Sequence, residues 1–337
     1  MECIELGARI IATGTAVGRK EHEGPLGERF DLYDPADKFG MKTWESAESE
    51  MQRIAFNTAL SKAGLRDRDI GALFAGDLLN QCVGSAYGLL EFDVPYFGLY
   101  GACSTSAEGL TLASILVSCG IYSHCGVVTS SHYCSAERQY RTPIEYGGQR
   151  PPTAQWTVTG AGAFIVEDAT CESGREGAVI CRAMPGKASD CGINDANNMG
   201  AAMAPAAQDT LLRFFRETET KPSHYDCIVT GDLGFEGGSI LCSLMAAEGY
   251  PIEDRYTDCG QLIYERQEQD AHCGGSGCGC SSVVLSSYLL PRLVRGGWNR
   301  ILFLATGAMM SPDSIKQGQN IPAIAHLLEI RRDGEGR

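Results

Sequence analysis

The chain has no apolar run near the roughly 20 residues that span a bilayer. Its opening, MECIELGARI, lacks the basic and then apolar regions of a secretory signal. Both absences lead to the expectation of a soluble protein that stays inside the cell. Its basic residues form no run, and with a formal charge of −14 this argues against a nucleic-acid backbone or an anionic membrane surface as a direct partner. Proline is scarce, at 13 residues against 41 glycines, and hydrophobic residues make up 44%, which excludes a disordered or low-complexity chain.

What is present is a chain of 337 residues, more than one domain usually needs. Its 15 cysteines, without a secretory signal, read as reduced thiols. Many sit in apolar runs such as LVSCGIYSHCGVV, where cysteine acts as a small hydrophobe. The cluster HCGGSGCGC (272–280) has no second ligand pair at a metal-binding spacing, so tight backbone packing is the better reading and no metal site is expected.

The periodicity predicts helices at 45–63, ending at Gly64, and from Cys103 to about Ser118, with strands at 72–76, 125–131 and 161–167. The second half repeats this order: strand 178–184, helix 206–217 after Pro205, strand 227–231, helices 238–248 and 281–294, strands 300–307 and 323–330. Helices alternating with short apolar strands predict a mostly parallel sheet covered on both faces. The repeat extends to the residues. LFAGDLL (73–79) answers IVTGDLG (228–234), and GACSTSAEGL (101–110) answers GGSGCGCSSVVL (274–285), making Asp77 and Asp232 equivalent. Two duplicated α/β halves are expected. Residues 1–170 hold the Cys103 helix and an excursion over 132–160, and residues 171–337 form the second half. Ligands collect at the carboxyl ends of strands in such sheets.

A duplicated α/β chain with a cysteine opening a helix about 100 residues in resembles the thiolase fold, with its five-layered αβαβα arrangement, and GACSTSAEGL resembles the nucleophile segment of the β-ketoacyl-acyl carrier protein synthase III branch. Longer segments are closer still to the stage V sporulation protein AD family: SSHYCSAERQYRTPIEYGGQRPPTAQWTVTGAGA (130–163), GGSGCGCSS (274–282) and TGAMMSPDSIKQGQNIPAIAH (306–326). This resemblance implies a component that binds dipicolinic acid, with calcium carried alongside it, and works with membrane-embedded uptake proteins of the developing spore. It also implies a homodimer, peripheral to the cytoplasmic side of the spore inner membrane. No further cofactor and no nucleic acid are expected.

The synthase branch needs a thiolate together with His and Asn, or two His. Cys103 has the right position, since a helix N-terminus lowers a thiol pKa and equally attracts a carboxylate. The family histidine, however, falls on Gly231 or Asp232, and the asparagine falls near Ser276. An ionised aspartate offers no donor for an oxyanion hole. His224 precedes its strand and lies at the wrong end. His132, after VVTSS, and His272, in the loop before the second-half helix, are the candidate pocket histidines. Asp77 and Asp232 read as helix caps, with calcium chelation as the sharper alternative. The segment 137–156 carries Arg138, Arg141, Arg150, Tyr140, Tyr146 and Trp156. Its arginines suit carboxylates and its aromatics a pyridine ring, but the same composition suits a subunit interface. Residues 18–40 read as a solvated loop. The expected ligand set is Cys103, His132, Asp232, Ser276, His272 and Arg141. A non-catalytic binding protein is expected; a residual acyltransferase using Cys103, or a platform that binds no small molecule, are the competing readings.

Overall fold

The computed structural model describes residues 2–140, 150–171 and 174–334. The first half runs β1 (Ile4–Gly18), α1 (Arg19–His22), β2 (Leu32–Asp34), α2 (Trp44–Ala63), β3 (Ala72–Gly76), α3 (Val83–Gly88), β4 (Tyr96–Gly98), α4 (Thr105–Ser118), β5 (His124–Ser131), α5 (Tyr133–Tyr140), β6 (Trp156–Thr157) and β7 (Gly160–Asp168). The second continues with β8 (Ala178–Met184), α6 (Met199–Thr218), β9 (Cys227–Thr230), α7 (Gly234–Ala247), β10 (Tyr256–Asp258), α8 (Cys259–Leu262), β11 (Gly275–Ser276), α9 (Cys278–Val284), α10 (Leu290–Val294), β12 (Arg300–Ala308), α11 (Pro312–Lys316) and β13 (Ala323–Arg332).

Local chemistry explains where the helices begin and end. Thr43 and Ser46 cap the start of α2 reciprocally, and Gly64 ends it at φ 65°, a left-handed conformation that glycine adopts without steric cost. Helix α6 begins seven residues before its expected start. Asn198, not Pro205, starts it, accepting from the Ala201 N–H at 3.3 Å, and Pro205 lies inside. Between α9 and α10 the helix passes through a wider π turn, Leu285–Leu289, just ahead of Pro291, whose missing N–H interrupts the α-helical ladder.

The large sheet is mixed, not mostly parallel. Along β10-β9-β12-β13-β8-β1-β7-β5-β3-β4, the two outer pairings at each end are parallel and the five central pairings are antiparallel. The antiparallel neighbours β5–β7 and β12–β13 are consecutive strands of the large sheet, and an antiparallel pair needs no crossover helix. Leaving out β2, which pairs with β1 beside this path, the order of the main-sheet strands within each half from edge to centre is third, second, fourth, fifth, first in both halves.

Alternating side chains divide the core into three layers. Leu73, Ala75, Val128 and Ile165 pack under α2 on the outside of the first half. Ile228, Leu302, Leu304 and Leu327 do the same for α6 and α7 on the second. Their neighbours Phe74, Val127, Phe164, Val229, Phe303 and Leu328 turn inward onto α4 and α9. The resulting order is αβαβα, with α4 and α9 as the shared middle layer. A second, two-stranded sheet pairs Ser276 with Thr157, which brings the end of the first-half excursion onto the start of α9.

Candidate functional site

Cys103 lies in a 3-10 turn, Ala102–Ser104, that leads into α4. The backbone is crowded there. Ala102 has φ 50°, and a Cβ on Gly307 would lie 2.4 Å from the Gly101 carbonyl, so β12 passes the turn only because it carries glycine at that point. The thiol is buried and lies against the carboxylate of Asp232, whose charge acts on it.

Asp232 is held from two further sides. Thr306 Oγ1 donates to its Oδ1 at 2.8 Å and the Gly277 N–H to its Oδ2 at 3.0 Å. Burial pushes Asp232 up to about 6, against the lowering effects of the neighbouring Cys103, the Gly277 N–H and Thr306. The Cys103 thiol is raised well above its ordinary value, first by burial and then by the Asp232 charge. The lowering expected from the helix N-terminus is therefore outweighed. A thiolate here would stand beside a carboxylate in a dry site, and the proton stays on sulfur.

Above Cys103 is a cavity of about 240 Å³, smaller than the 300–1,000 Å³ typical of drug-sized ligands. Cys103 and Ser276 form its floor, and Tyr100, Tyr140, Glu137 and Thr157 one wall. The rest of the wall is more apolar, with Met199, Met310 and Ile315 beside Asn197. Tyr140 donates to the Leu78 carbonyl at 3.0 Å, and its oxygen meets that of Tyr100 at 2.8 Å. Thr157 Oγ1 donates to Glu137 Oε1 at 3.1 Å. The two loops of the apolar wall are tied together by Ile321 N–H donating to the Ile193 carbonyl at 2.7 Å. Among the described residues the cavity has no Lys, Arg or His in its lining.

Of the expected ligand set, the structure brings Cys103 and Ser276 into this cavity and leaves Asp232, His132 and His272 out of its lining. Asp232 lies behind Cys103, not in the lining. His132 is buried elsewhere: its Nδ1 accepts from the Cys134 N–H at 3.1 Å, so Nε2 carries the proton and donates to the Asp37 carbonyl at 2.8 Å. Its ring lies against Trp44, and burial lowers its pKa. His272 faces the Pro151 carbonyl and Asp270, both at 2.9 Å, outside the cavity. Arg141 and Tyr146 lie outside the described residues. Arg138 pairs with Glu45, and Arg150 covers Trp156; neither lines the cavity.

Asp77 is a cap, its oxygens accepting from the N–H groups of Leu79 at 2.8 Å and Ser85 at 2.7 Å. Asp232 holds Gly277, ahead of α9, whereas α7 is capped by Asp258 through Leu233 and Gly234. The glycines of 272–280 serve close approach. Gly277 has φ 104°, and its Cβ would meet Ser131 Oγ at 2.5 Å. A Cβ at Gly231 would already lie 3.2 Å from Ala305 Cα and Ser281 Cβ, so no histidine fits there. His224 contacts Arg300, at the start of β12. Glu137 and Tyr140 stood within the excursion already singled out. Asn197, Met199 and Met310 are in or beside loops that carry no periodic signal.

This architecture is the thiolase-like fold. The chain superposes on an OleA variant of Xanthomonas campestris with a TM-score of 0.62 at 14% identity, covering 98% of this chain and 100% of that one. It superposes on 3-oxoacyl-[acyl-carrier-protein] synthase III of Aquifex aeolicus with a TM-score of 0.58 at 13% identity, covering 96% and 100%. Within that fold the sequence is more specific. The sequence model of Stage V sporulation protein AD (SpoVAD) matches residues 3–331, and Stage V sporulation protein AD of Bacillus subtilis is 43% identical over 325 residues, 96% of this chain and 94% of that protein. The chain belongs to the SpoVAD family.

Proposed function

We propose that this chain binds dipicolinate in the Cys103 cavity without covalent chemistry and serves its uptake into the developing spore. The observation that carries the non-covalent reading is the Asp232 carboxylate facing Cys103 where acyl transfer would need a base that becomes cationic. The small cavity suits a single ring. Tyr100 and Tyr140 offer aromatic faces, the Met199 and Met310 thioethers suit the other side of such a ring, and the hydroxyls of Ser276 and Thr157 can meet ligand oxygens.

The ligand's charge form follows from the same lining. A free dicarboxylate would meet no Lys, Arg or His among the described lining residues, whereas a calcium chelate is neutral and needs none. Calorimetry with dipicolinate, with and without calcium, tests this reading, and no binding below millimolar concentration under either condition overturns it.

The family setting supports membrane-embedded partners and a peripheral position; no helix among the described residues is long and apolar enough to cross a membrane. A homodimer is proposed at the open edge of β4, where Tyr96 and Phe97 are exposed. Sizing of wild type against Phe97→Asp tests it.

A further inference from the structure

The basic residues, scattered in sequence, gather in space at the end of the molecule away from the cavity. No acidic residue stands between Asp270 and Asp313, while Arg292, Arg295 and Arg300 fall within that stretch. Arg292 and Arg295, three apart at the end of α10, are both exposed and project on one side. The Arg292 guanidinium covers Trp298, 4.2 Å from the ring centre, and donates to Tyr288 Oη at 3.0 Å. Arg29 approaches the other side of the cluster, 5.4 Å from the Tyr288 ring. Arg332 closes it, its N–H bonded to the Asn299 carbonyl and its guanidinium beside Gly296.

Most other arginines here are paired with carboxylates; these four form no ion pair with a described residue. Glu28, next to Arg29, is exposed, while other acids near the cluster are engaged elsewhere. Asp333 pairs with Arg9, Glu329 with Arg182 and Arg300, and Asp226 accepts from the backbone of Asn299 and Arg300. At the tip, Val294 is 37% exposed and Trp298 half-buried, next to the exposed pair Gly296–Gly297.

We infer that this face, formed by Arg29, Arg292, Arg295 and Arg332 around Trp298 and Val294, docks on an anionic lipid surface. Unpaired arginines supply attraction to phosphate headgroups, and an amphipathic indole beside an exposed aliphatic side chain suits the headgroup boundary. The net charge of −14 does not prevent this, because charges beyond about 8 Å are screened at physiological salt. The strand β12 runs from Arg300, beside this face, to Ala308, in the cavity lining. Eight residue steps span about 27 Å, so a docked molecule keeps its cavity turned away from the lipid. This deepens the peripheral placement proposed above by naming its surface, and it does not depend on what the cavity binds.

The test is co-sedimentation of the full chain with vesicles of phosphatidylcholine alone and of phosphatidylcholine with phosphatidylglycerol, without dipicolinate. Binding is expected only to the anionic vesicles and is abolished by about 0.5 M salt. Each arginine removed should weaken partitioning about fivefold, so Arg292→Gln with Arg295→Gln should weaken it about 25-fold, while Arg292→Lys with Arg295→Lys retains it. A blue shift of Trp298 emission, missing in Trp298→Phe, should accompany binding. No partitioning to anionic vesicles overturns the inference, as does partitioning equal in the double glutamine variant. Binding of single-stranded RNA or an acidic peptide in place of vesicles likewise overturns it.

Discussion

The buried thiol of Cys103 lies against the buried carboxylate of Asp232, and that carboxylate is fixed by Thr306 and Gly277. A histidine could accept the thiol proton and leave an attractive ion pair; a carboxylate gives repulsion instead. Wild-type Cys103 should therefore alkylate with iodoacetamide far more slowly than the exposed Cys119, Cys171 and Cys191. Asp232→Asn, which removes the charge but keeps the shape, should speed Cys103 labelling roughly tenfold, the effect of one pKa unit. Peptide mass mapping reads both rates, and equal labelling of Cys103 and Cys119 in the wild type contradicts the account.

Buried acids without cations should give the fold an acid-leaning stability. Glu48 is pushed up to about 8 by burial and by Asp77, and Glu21 and Asp258 to about 7 by burial. These values lie above those of the unfolded chain, so the native state holds protons that the unfolded state has released. The contribution is full below about pH 4 and is lost as pH rises through 7 to 8, by up to about 1.4 kcal/mol per pH unit for each proton. Calorimetric Tm should fall between pH 6 and 9, and Glu48→Gln should flatten that fall.

Gly277 combines two demands, a φ of 104° and a Cβ position only 2.5 Å from Ser131 Oγ. Gly277→Ala should cost about 1–3 kcal/mol in denaturant unfolding. Gly249→Ala, at φ 81° but in open space, should cost less.

Tyr140 anchors one cavity wall by donating to the Leu78 carbonyl and meeting the Tyr100 hydroxyl. Tyr140→Phe should lose about 1 kcal/mol of stability and loosen the wall, weakening ligand affinity. Unchanged stability and affinity would show that the hydroxyl pair does not hold the wall.

Much of this was legible in the sequence where local chemistry decides. Gly64 marked the end of α2, GACSTS the start of α4, and the GDL pair the duplication. The long β1 was not legible, because Ile4–Gly18 is partly or fully buried at most positions and so shows no clean alternation. The sheet read as parallel because strand rhythm does not reveal which connections lack a crossover. At the site, Cys103 and Ser276 could be placed from helix starts. His132 could not, since the end of β5 fixes where the residue lies, whereas its packing against Trp44 from α2 is a long-range contact. The arginine cluster was missed for the same reason: three elements distant in sequence contribute to it.

The most direct test of a binding cavity in place of a nucleophile is calorimetric titration of dipicolinate into wild type and Cys103→Ala, each with and without calcium. The account predicts binding below millimolar concentration that calcium strengthens, and retention of that binding in Cys103→Ala. Absence of binding in the wild type, or binding that requires the Cys103 sulfur, would contradict it.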